Sequence, residues 1–448
     1  MYLAGTEAET ESIRKDKKGG KAKMNDQNLK VSRGDATMLY ATGKTSYTVR
    51  FCLRLDQEVD PVVMRNALDR TAKRYPYYSV SLKKNEKEFY YEENPSPIAL
   101  IHTDQKITLG TEETNGHIWA VSYKDDCLYI DFFHGRADGA GIYPVIATML
   151  YYYFSEKSGL TDSTGIRTLE HPITEKEIRD PVDGLPVIDL RTLNIPPNPK
   201  ALNLTETSGF TRMVEKGEKG RVFKLMIPEE SFLPFVKAND ASPGIMLCVL
   251  MARAVERVHP EHEEPLIVSY VVNARPMLHA EENSHNCTNR VLLNYDEKIR
   301  SMPLDRQCTA YRGKTMLQAD EETIQKRMVV SGSMATNVMN APDFESKHLV
   351  ARKSINGFYS STTFAVSYVG KWKQQQLGAH IREFWTETPA TIFPLIEVAA
   401  VNGTIFVCLL QGFEETVYYQ ALVDELEANG INYTPCGCEP IRIADIVV

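Results

Sequence analysis

The 448-residue sequence predicts an α/β (α+β) fold of two lobes, each a mixed β-sheet flanked by helices. Two observations carry this prediction. Segments with the composition of strands alternate with segments of helical periodicity, and the alternation restarts after an irregular stretch in the middle of the chain. Tight hairpins and strand–helix–strand units both occur, which indicates sheets that combine antiparallel and parallel pairs.

The predicted domain organisation follows from changes of composition along the chain. The start is rich in Lys and Gly and lacks apolar periodicity, so we expect a flexible tail. The stretch "IPPNPKALNLTETSGF" is rich in Pro, Asn and Thr, as in a linker or a long crossover. The predicted units are the tail (1–33), a first lobe (34–185), the linker or crossover (186–220) and a second lobe (221–448).

The predicted first lobe opens with a strand, "SYTVRFCLRL" (46–55), rich in β-branched and aromatic residues. Asp60 is placed to cap the helix that follows, with Pro61 in its first turn. The apolar face of this helix comprises Met64, Ala67, Leu68 and Thr71. "YYSVSLKK" and "EFYYEE" predict a hairpin, and residues 127–133 predict a buried strand. A second helix has core positions at Ile142, Val145, Ile146, Met149, Leu150 and Tyr153.

The predicted second lobe repeats this alternation of strands and helices. "RVFKLMI" is a strand and "PEESFLPFVKAND" a helix, and Ser242 with Pro243 begins a longer helix. "PLIVSYVVNARP" (265–276) predicts a fully buried strand, and "FAVSYVGKW" a further one. "LIEVAAVNGTIFVCLLQGF" predicts a hairpin that turns at Asn402-Gly403. "EETVYYQALVDELEANG" predicts an amphipathic helix that ends the fold.

Charge and cysteine content narrow the classes of function. A net charge of −8 and a pI near 5.8 argue against nucleic acid or an anionic membrane as the main partner. No window approaches the ~18 apolar residues of a membrane span. Several of the eight cysteines lie in apolar runs, as reduced thiols of a cytoplasmic protein do. Cys436/Cys438 and His259/His262 lack further ligands at metal-site spacing, so no metal site is predicted.

The stretch "CLYIDFFHGRADGAGIYPVI" contains the candidate catalytic residues. His134 stands where the predicted buried strand stops, and Asp138-Gly139 follows one short loop later. Histidine suits a general base because its unperturbed pKa is about 6.5. Asp138 would orient the loop, and the glycines leave main-chain N–H groups open to developing negative charge. The residues alone also allow a purely structural His–Asp pair.

The segment "FHGRADGAG" resembles the His-x-x-x-Asp-Gly motif of the CoA-dependent acyltransferase superfamily. This superfamily includes chloramphenicol acetyltransferase, plant BAHD acyltransferases, alcohol acetyltransferases and the condensation domains of nonribosomal peptide synthetases. Residues 33–84 and 138–154 look like the bacterial alcohol-acetyltransferase-like branch. "VVNARP" (271–276) is similar to the Val-Asn-x-Arg segment of the second lobe, and "AVSYVG" (365–370) to its Ser-Asn-x-Gly-type strand. Residues 157–220 are unmatched.

The resemblance implies two chloramphenicol-acetyltransferase-like lobes with an active-site tunnel between them. His134 would be the general base that deprotonates the acceptor as it attacks an acyl thioester. Asp138 would point away from the substrate and pair with Arg275 across the lobes, as structural support of the site. Gly139 would supply room, and an amide, near the oxyanion. Ser367 would contact the thioester or the oxyanion, unless its hydroxyl is satisfied by its own backbone.

The activity implied by the resemblance is transfer of an acyl group, expected to be acetyl, from acyl-CoA to a small-molecule alcohol or amine. Two alternatives remain: a stand-alone condensation-type enzyme that takes its donor from an acyl carrier protein, and an inactive binding homologue. Phe133 stands where condensation domains usually carry a second histidine, which favours the CoA-dependent branch. The plant-type Asp-Phe-Gly-Trp-Gly segment is missing. The intact His134, Asp138 and Gly139 argue against an inactive homologue.

Overall fold

The computed structural model describes residues 29–41, 47–193, 199–389 and 393–447. Most of the predicted tail lies outside these residues. Within them the chain forms two large mixed sheets flanked by helices, as predicted. No described helix is both long and apolar enough to cross a membrane.

The helices and strands of the first half are well separated from those of the second. The first half contains α1 (Arg33–Ala41), β1 (Thr48–Leu55), α2 (Pro61–Arg74), β2 (Val80–Lys84), β3 (Phe89–Glu93), β4 (Leu100–His102), β5 (Thr108–Leu109), β6 (Trp119–Lys124), β7 (Cys127–Phe133) and α3 (Gly139–Ser158). The crossover between the halves contains α4 (Glu175–Ile178) and α5 (Leu204–Thr207). The second half begins with β8 (Arg221–Pro228), α6 (Glu229–Ala238), α7 (Pro243–Val258), β9 (Ile267–Asn273) and β10 (Thr288–Asn294). It continues with α8 (Glu297–Arg300), α9 (Leu304–Gln318), α10 (Glu321–Met339), α11 (Phe344–Ser360), β11 (Phe364–Lys371), α12 (Gln375–Gly378), β12 (Ile381–Glu387), β13 (Leu395–Val401), β14 (Thr404–Gln411), α13 (Val417–Ala428), β15 (Thr434–Pro440) and β16 (Asp445–Ile446).

Local signals in the sequence place several elements where they were predicted. The Asp60 carboxylate accepts from the N–H groups of Val62 and Val63, and α2 starts at Pro61 with its predicted face buried. Ser242 caps α7 in the same way. The β13–β14 hairpin turns at Asn402-Gly403, where both residues have positive φ values of 48° and 75°.

The strand order shows that the lobes are not continuous in sequence. The first sheet has the order β12-β1-β7-β6-β4, and the second has β10-β9-β11-β13-β14-β8-β15. After β11 the chain leaves the second sheet, adds β12 antiparallel to β1, and returns as β13. The predicted boundaries had assigned 381–387 to the second lobe, because a local pattern does not reveal which sheet a strand joins.

Two other sequence expectations are wrong. The predicted strand 265–276 is shorter and only partly buried, since β9 ends at Asn273 and its second half is partly exposed. Helix α13 does not end the fold, because β15 and β16 follow it. β16 pairs with β5, and Asp445 forms ion pairs with Lys106 and Lys219. The C-terminal segment therefore returns to the first lobe.

The second sheet has two buried faces. Ile396, Val398 and Ala400 pack in the core that contains α7 and α13. Ala399 and Val401, which point to the opposite side of β13, belong to the core shared with α2, α3 and β12. We call this second side the inter-lobe face.

Phe384 on β12 tests how far the first lobe depends on the second half of the chain. Its side chain is fully buried and meets Phe51 and Tyr143 edge to face at 5.6 and 5.5 Å. Phe384→Ala should lower the free energy of unfolding by about 3–5 kcal/mol in urea titrations. Arg382→Ala, at an exposed position of the same strand, is the control and should cost far less. Equal losses for the two variants would contradict this packing.

Candidate active site

The loop from β7 to α3 presents the predicted catalytic residues on a rigid frame. β7 ends at Phe133, and the His134 N–H donates to Tyr47 O at 2.7 Å, which extends the pairing with β1 by one residue. Four residues on, the Asp138 side chain caps α3 by accepting from Gly141 N at 2.8 Å. Both ends of the loop are therefore held by regular secondary structure.

The His134 ring is partly exposed and has a defined hydrogen-bonding state. Its Nδ1 lies 2.9 Å from Ala137 O. A carbonyl oxygen can only accept, so Nδ1 carries the hydrogen and the Nε2 of the neutral ring carries a lone pair. No other hydrogen bond of this ring is found within the described part of the chain. Nε2 is therefore available to accept a proton.

Asp138 points away from the imidazole and forms a buried, bidentate ion pair with Arg275. Nη1 and Nη2 of Arg275 lie 2.8 and 2.7 Å from Oδ2 and Oδ1, and both side chains are at most 3% exposed. Cys287 N adds a third donor, at 2.8 Å from Oδ2. Burial alone would lower the pKa of Arg275, but Asp138 raises it. The structure thus brings together the two residues that the sequence analysis paired.

The loop between β9 and β10 (274–287) supports His134 directly. Asn286 Nδ2 donates to His134 O at 3.1 Å, and Arg275 Nε donates to Asn283 O at 2.9 Å. Asn283 in turn donates to Arg179 O at 2.7 Å, beyond the end of α4. The main chain at 176–179, which the sequence left unassigned, is therefore a strut beneath this loop.

Glu177 on α4 is a functional-site support that sequence reasoning missed. Its carboxylate is 1% exposed and accepts two hydrogen bonds from Arg74, at 2.9 and 3.0 Å, and one from Tyr77. Its main-chain oxygen accepts from Ser284 N at 2.9 Å. In the sequence it lies in "TEKEIRD", where nothing distinguishes it from a solvated glutamate.

Arg136 ties the motif loop to α1 through a second buried ion pair. Its Nη1 lies 3.4 Å from Oδ2 of Asp35, a fully buried residue. Burial alone would raise the pKa of Asp35, but the hydrogen bond with His285 and the charge of Arg136 hold it below its ordinary value. Tyr91 also donates to Asp35, at 3.1 Å. The motif loop is therefore anchored on both sides by arginine–aspartate pairs.

Two glycines allow close approach of the second lobe to the motif. A Cβ on Gly139 would lie 3.0 Å from Cγ1 of Val369 on β11. A Cβ on Gly141 would lie 2.3 Å from Ser284 O, which no packing tolerates. The Gly139 amide makes no hydrogen bond within the described residues.

Ser367 lies on β11 at a partly exposed position, directly beside Glu397 in the parallel β11–β13 pair. Its hydroxyl makes no hydrogen bond to its own backbone among the described residues. Glu397 is 4% exposed, and Thr388 donates to its Oε1 at 3.1 Å. Burial raises the pKa of Glu397 to about 8, against smaller opposing effects of the Ser367 and Thr388 hydroxyls. The sequence analysis did not single out this residue.

Neither of two open depressions on the second lobe includes the predicted site residues. The larger, of about 970 Å³, lies between α7 and α13, and the smaller, of about 410 Å³, follows α13. The tunnel between the lobes stays a prediction. Within the described residues, no group of three or more His, Cys, Asp or Glu side chains is placed to hold a metal ion.

Solved structures of low sequence identity share this architecture. F. sporotrichioides TRI101, complexed with Coenzyme A and T-2, matches with a TM-score of 0.60 at 11% identity, over 91% of this chain and 99% of that chain. Polyketide synthase associated protein 5 from Mycobacterium tuberculosis matches with a TM-score of 0.57 at 10% identity, over 89% and 96%. The epimerization domain from the third module of tyrocidine synthetase B matches with a TM-score of 0.51 at 10% identity, over 85% and 89%.

No protein-family model and no curated protein matches the sequence. The structural matches confirm the fold predicted from the motif. The chain has the two-lobed fold of the CoA-dependent acyltransferase and condensation-domain superfamily. The bacterial alcohol-acetyltransferase-like branch stays a prediction.

The Asp138–Arg275 pair makes a direct prediction for stability. Asp138→Ala and Arg275→Ala should each lower the free energy of unfolding by about 3–5 kcal/mol, because each leaves a buried charge without its partner. Arg191→Ala, which removes an ion pair whose arginine side chain is 90% exposed, is the matched control and should unfold at the wild-type urea concentration. An Asp138→Asn protein as stable as wild type would show that the pairing does not need the charge.

Glu397 makes a prediction for the pH dependence of stability. The folded protein holds this proton up to about pH 8, whereas a glutamate of ordinary pKa, 4.5, releases it much earlier in the unfolded chain. The stabilising contribution of the group is therefore complete below the lower value and is lost as the pH rises to the upper one. Relative to Glu397→Gln, wild type should lose up to about 1.4 kcal/mol per pH unit across this window. Parallel stability curves for the two proteins, from urea unfolding at several pH values, would contradict the raised pKa.

Proposed function

We propose that this protein transfers an acyl group from a CoA thioester to the hydroxyl or amine of a small acceptor, with His134 as general base. The observation that carries the proposal is the Nδ1 contact with Ala137 O, which leaves Nε2 as the basic nitrogen of a partly exposed ring. The fold supports it, because F. graminearum TRI101, of the same architecture, is complexed with Coenzyme A and T-2 mycotoxin.

The step balances with one proton shuttled by His134. Nε2 removes the acceptor proton as the acceptor oxygen or nitrogen attacks the thioester carbonyl carbon. The carbonyl π bond opens to give a tetrahedral oxyanion. When the C–S bond breaks, the electrons of the oxyanion restore the carbonyl and the imidazolium returns its proton to the CoA sulfur. The products are an ester or amide and free CoA thiol.

The residues around His134 fit this sequence of events. The Gly139 amide lies at the N-terminus of α3, where the helix dipole favours negative charge. The Ser367 hydroxyl lies two residues before Val369, which contacts Gly139. Both groups are proposed donors to the oxyanion. Asp138 and Arg275 take no proton and hold the loop in place.

The donor and acceptor are proposed at the level of chemical class. Acetyl-CoA is the expected donor, and the acceptor is a small alcohol or amine. The similarity to an epimerization domain of a modular synthetase keeps a second donor in view, an acyl group on a carrier protein. Free CoA is favoured because TRI101 binds it with the same architecture.

Replacement of His134 tests the catalytic assignment. Thiol release from acetyl-CoA, measured with a panel of alcohols and amines, should fall about 10²–10⁴-fold in His134→Ala, because no other base replaces Nε2. His262→Ala is the matched control, since its Nδ1 also contacts a main-chain oxygen, Glu264 O at 2.7 Å, but lies in the second lobe. Equal thiol release by wild type and His134→Ala with every acceptor refutes the assignment.

Binding of CoA alone separates the two donor classes. Free CoA at about 100 times its dissociation constant should stabilise the folded protein by about 2.7 kcal/mol, seen as a raised melting temperature. A protein that depends on a carrier should show no shift with CoA, yet release product from an acylated carrier protein.

A further inference from the structure

We propose that Glu397 is a positioning residue that acts through Ser367. As a neutral carboxylic acid it donates its proton to Ser367 Oγ, so that the Ser367 O–H turns toward the acyl oxygen of the substrate. This inference rests on the proposed acyl transfer and adds to it the group that sets the direction of the serine hydroxyl. Nothing in the sequence resemblance involves Glu397.

The geometry of the second sheet places Glu397 and Ser367 on the side that faces the motif. Phe364 and Val366 of β11, with Ile396 and Val398 of β13, point to the opposite core. Ser367 and Glu397 therefore project from the inter-lobe face, because neighbouring residues of a strand alternate. They are partners in the parallel register, about 4.8 Å apart along the hydrogen-bonding direction.

The hydrogen bonds of Glu397 indicate which oxygen carries the proton. Oε1 accepts from the Thr388 hydroxyl at 3.1 Å, so it behaves as the carbonyl oxygen. Oε2 is buried and has no hydrogen-bond partner within the described part of the chain. A buried O–H without an acceptor is costly, and rotation toward Ser367 Oγ supplies one.

The ionisable groups packed around Glu397 do not offer a competing cation. Cys408 is its direct partner on β14, and burial raises the pKa of that thiol to about 12. Lys224 on β8 is held by Glu387 of β12 and Glu439 of β15, at 3.5 and 3.2 Å. Burial alone would lower the pKa of Lys224, but Glu387 raises it above its ordinary value. These neighbours keep their protons through the range in which Glu397 loses its own.

Loss of the Glu397 proton reverses the direction of the hydrogen bond. A neutral acid donates to Ser367 Oγ and leaves the serine hydrogen for the substrate. A carboxylate can only accept, so it takes the serine hydrogen for itself. The serine then has no proton left for the oxyanion, and the rate of acyl transfer falls. Glutamine at this position donates through Nε2 at every pH and keeps the productive direction.

The test compares pH profiles of kcat/KM for thiol release between pH 6 and 10. Wild type should lose activity above about pH 8, roughly tenfold per pH unit. Glu397→Gln should stay within about threefold of wild type at pH 7 and lack this fall. All proteins compared retain His134, so its titration is common to every profile.

Apolar and serine variants test the route through Ser367. Glu397→Leu and Ser367→Ala should each lower kcat about 10–100-fold at pH 7, with little change in KM. The double variant should be no slower than Ser367→Ala alone, because both changes remove one donor. Circular dichroism and the urea midpoint of each variant establish that it is folded.

The outcomes separate this inference from the proposed function. A Glu397→Gln profile with the same fall above pH 8 as wild type, or a fully active Glu397→Leu, overturns the inference alone, provided that His134→Ala is inactive. Infrared difference spectra supply a readout without substrate. A protonated-carboxyl band should be lost as the pH rises through 8 in wild type and be absent in Glu397→Gln. No thiol release by wild type with any acceptor removes both proposals.

Discussion

The ion pair between Asp138 and Arg275 is the constraint on which the rest of the site depends. It joins the start of α3 in the first lobe to the loop after β9 in the second, with two hydrogen bonds of 2.7–2.8 Å and almost no exposure to water. A buried charge pair of this kind tolerates little displacement, because each ion loses its compensation when the geometry slips. The position of the catalytic imidazole is thereby tied to the packing of the two lobes.

The supports of the motif loop converge from segments far apart in sequence. Asp35 reaches it from α1 through Arg136, and Glu177 reaches it from the crossover through the loop at 274–287. The result is a partly exposed ring surrounded by buried, fully engaged polar groups. Such a frame fits general base catalysis, in which the orientation of one nitrogen decides the rate.

Local signals in the sequence predicted local structure well. The Asp60 cap and the Asn402-Gly403 turn are properties of a few adjacent residues, and both are confirmed. The motif singled out His134 and Asp138, and the partner Arg275 came from the resemblance alone. Glu177 and the place of β12 were missed because burial and sheet membership arise from contacts between distant segments. Glu397 left a signal that was not used, a single carboxylate within the apolar strand "LIEVAAV".

The exchange of β12 between the halves has a consequence for how the protein is made. During synthesis the N-terminal half leaves the ribosome long before residue 387, so β1 first emerges with one edge unpaired. An unpaired strand edge invites pairing with other chains. The nascent first lobe must therefore wait, shielded or incomplete, until nearly nine-tenths of the polypeptide has been translated. A gene truncated anywhere before that point encodes an open sheet rather than a smaller working unit.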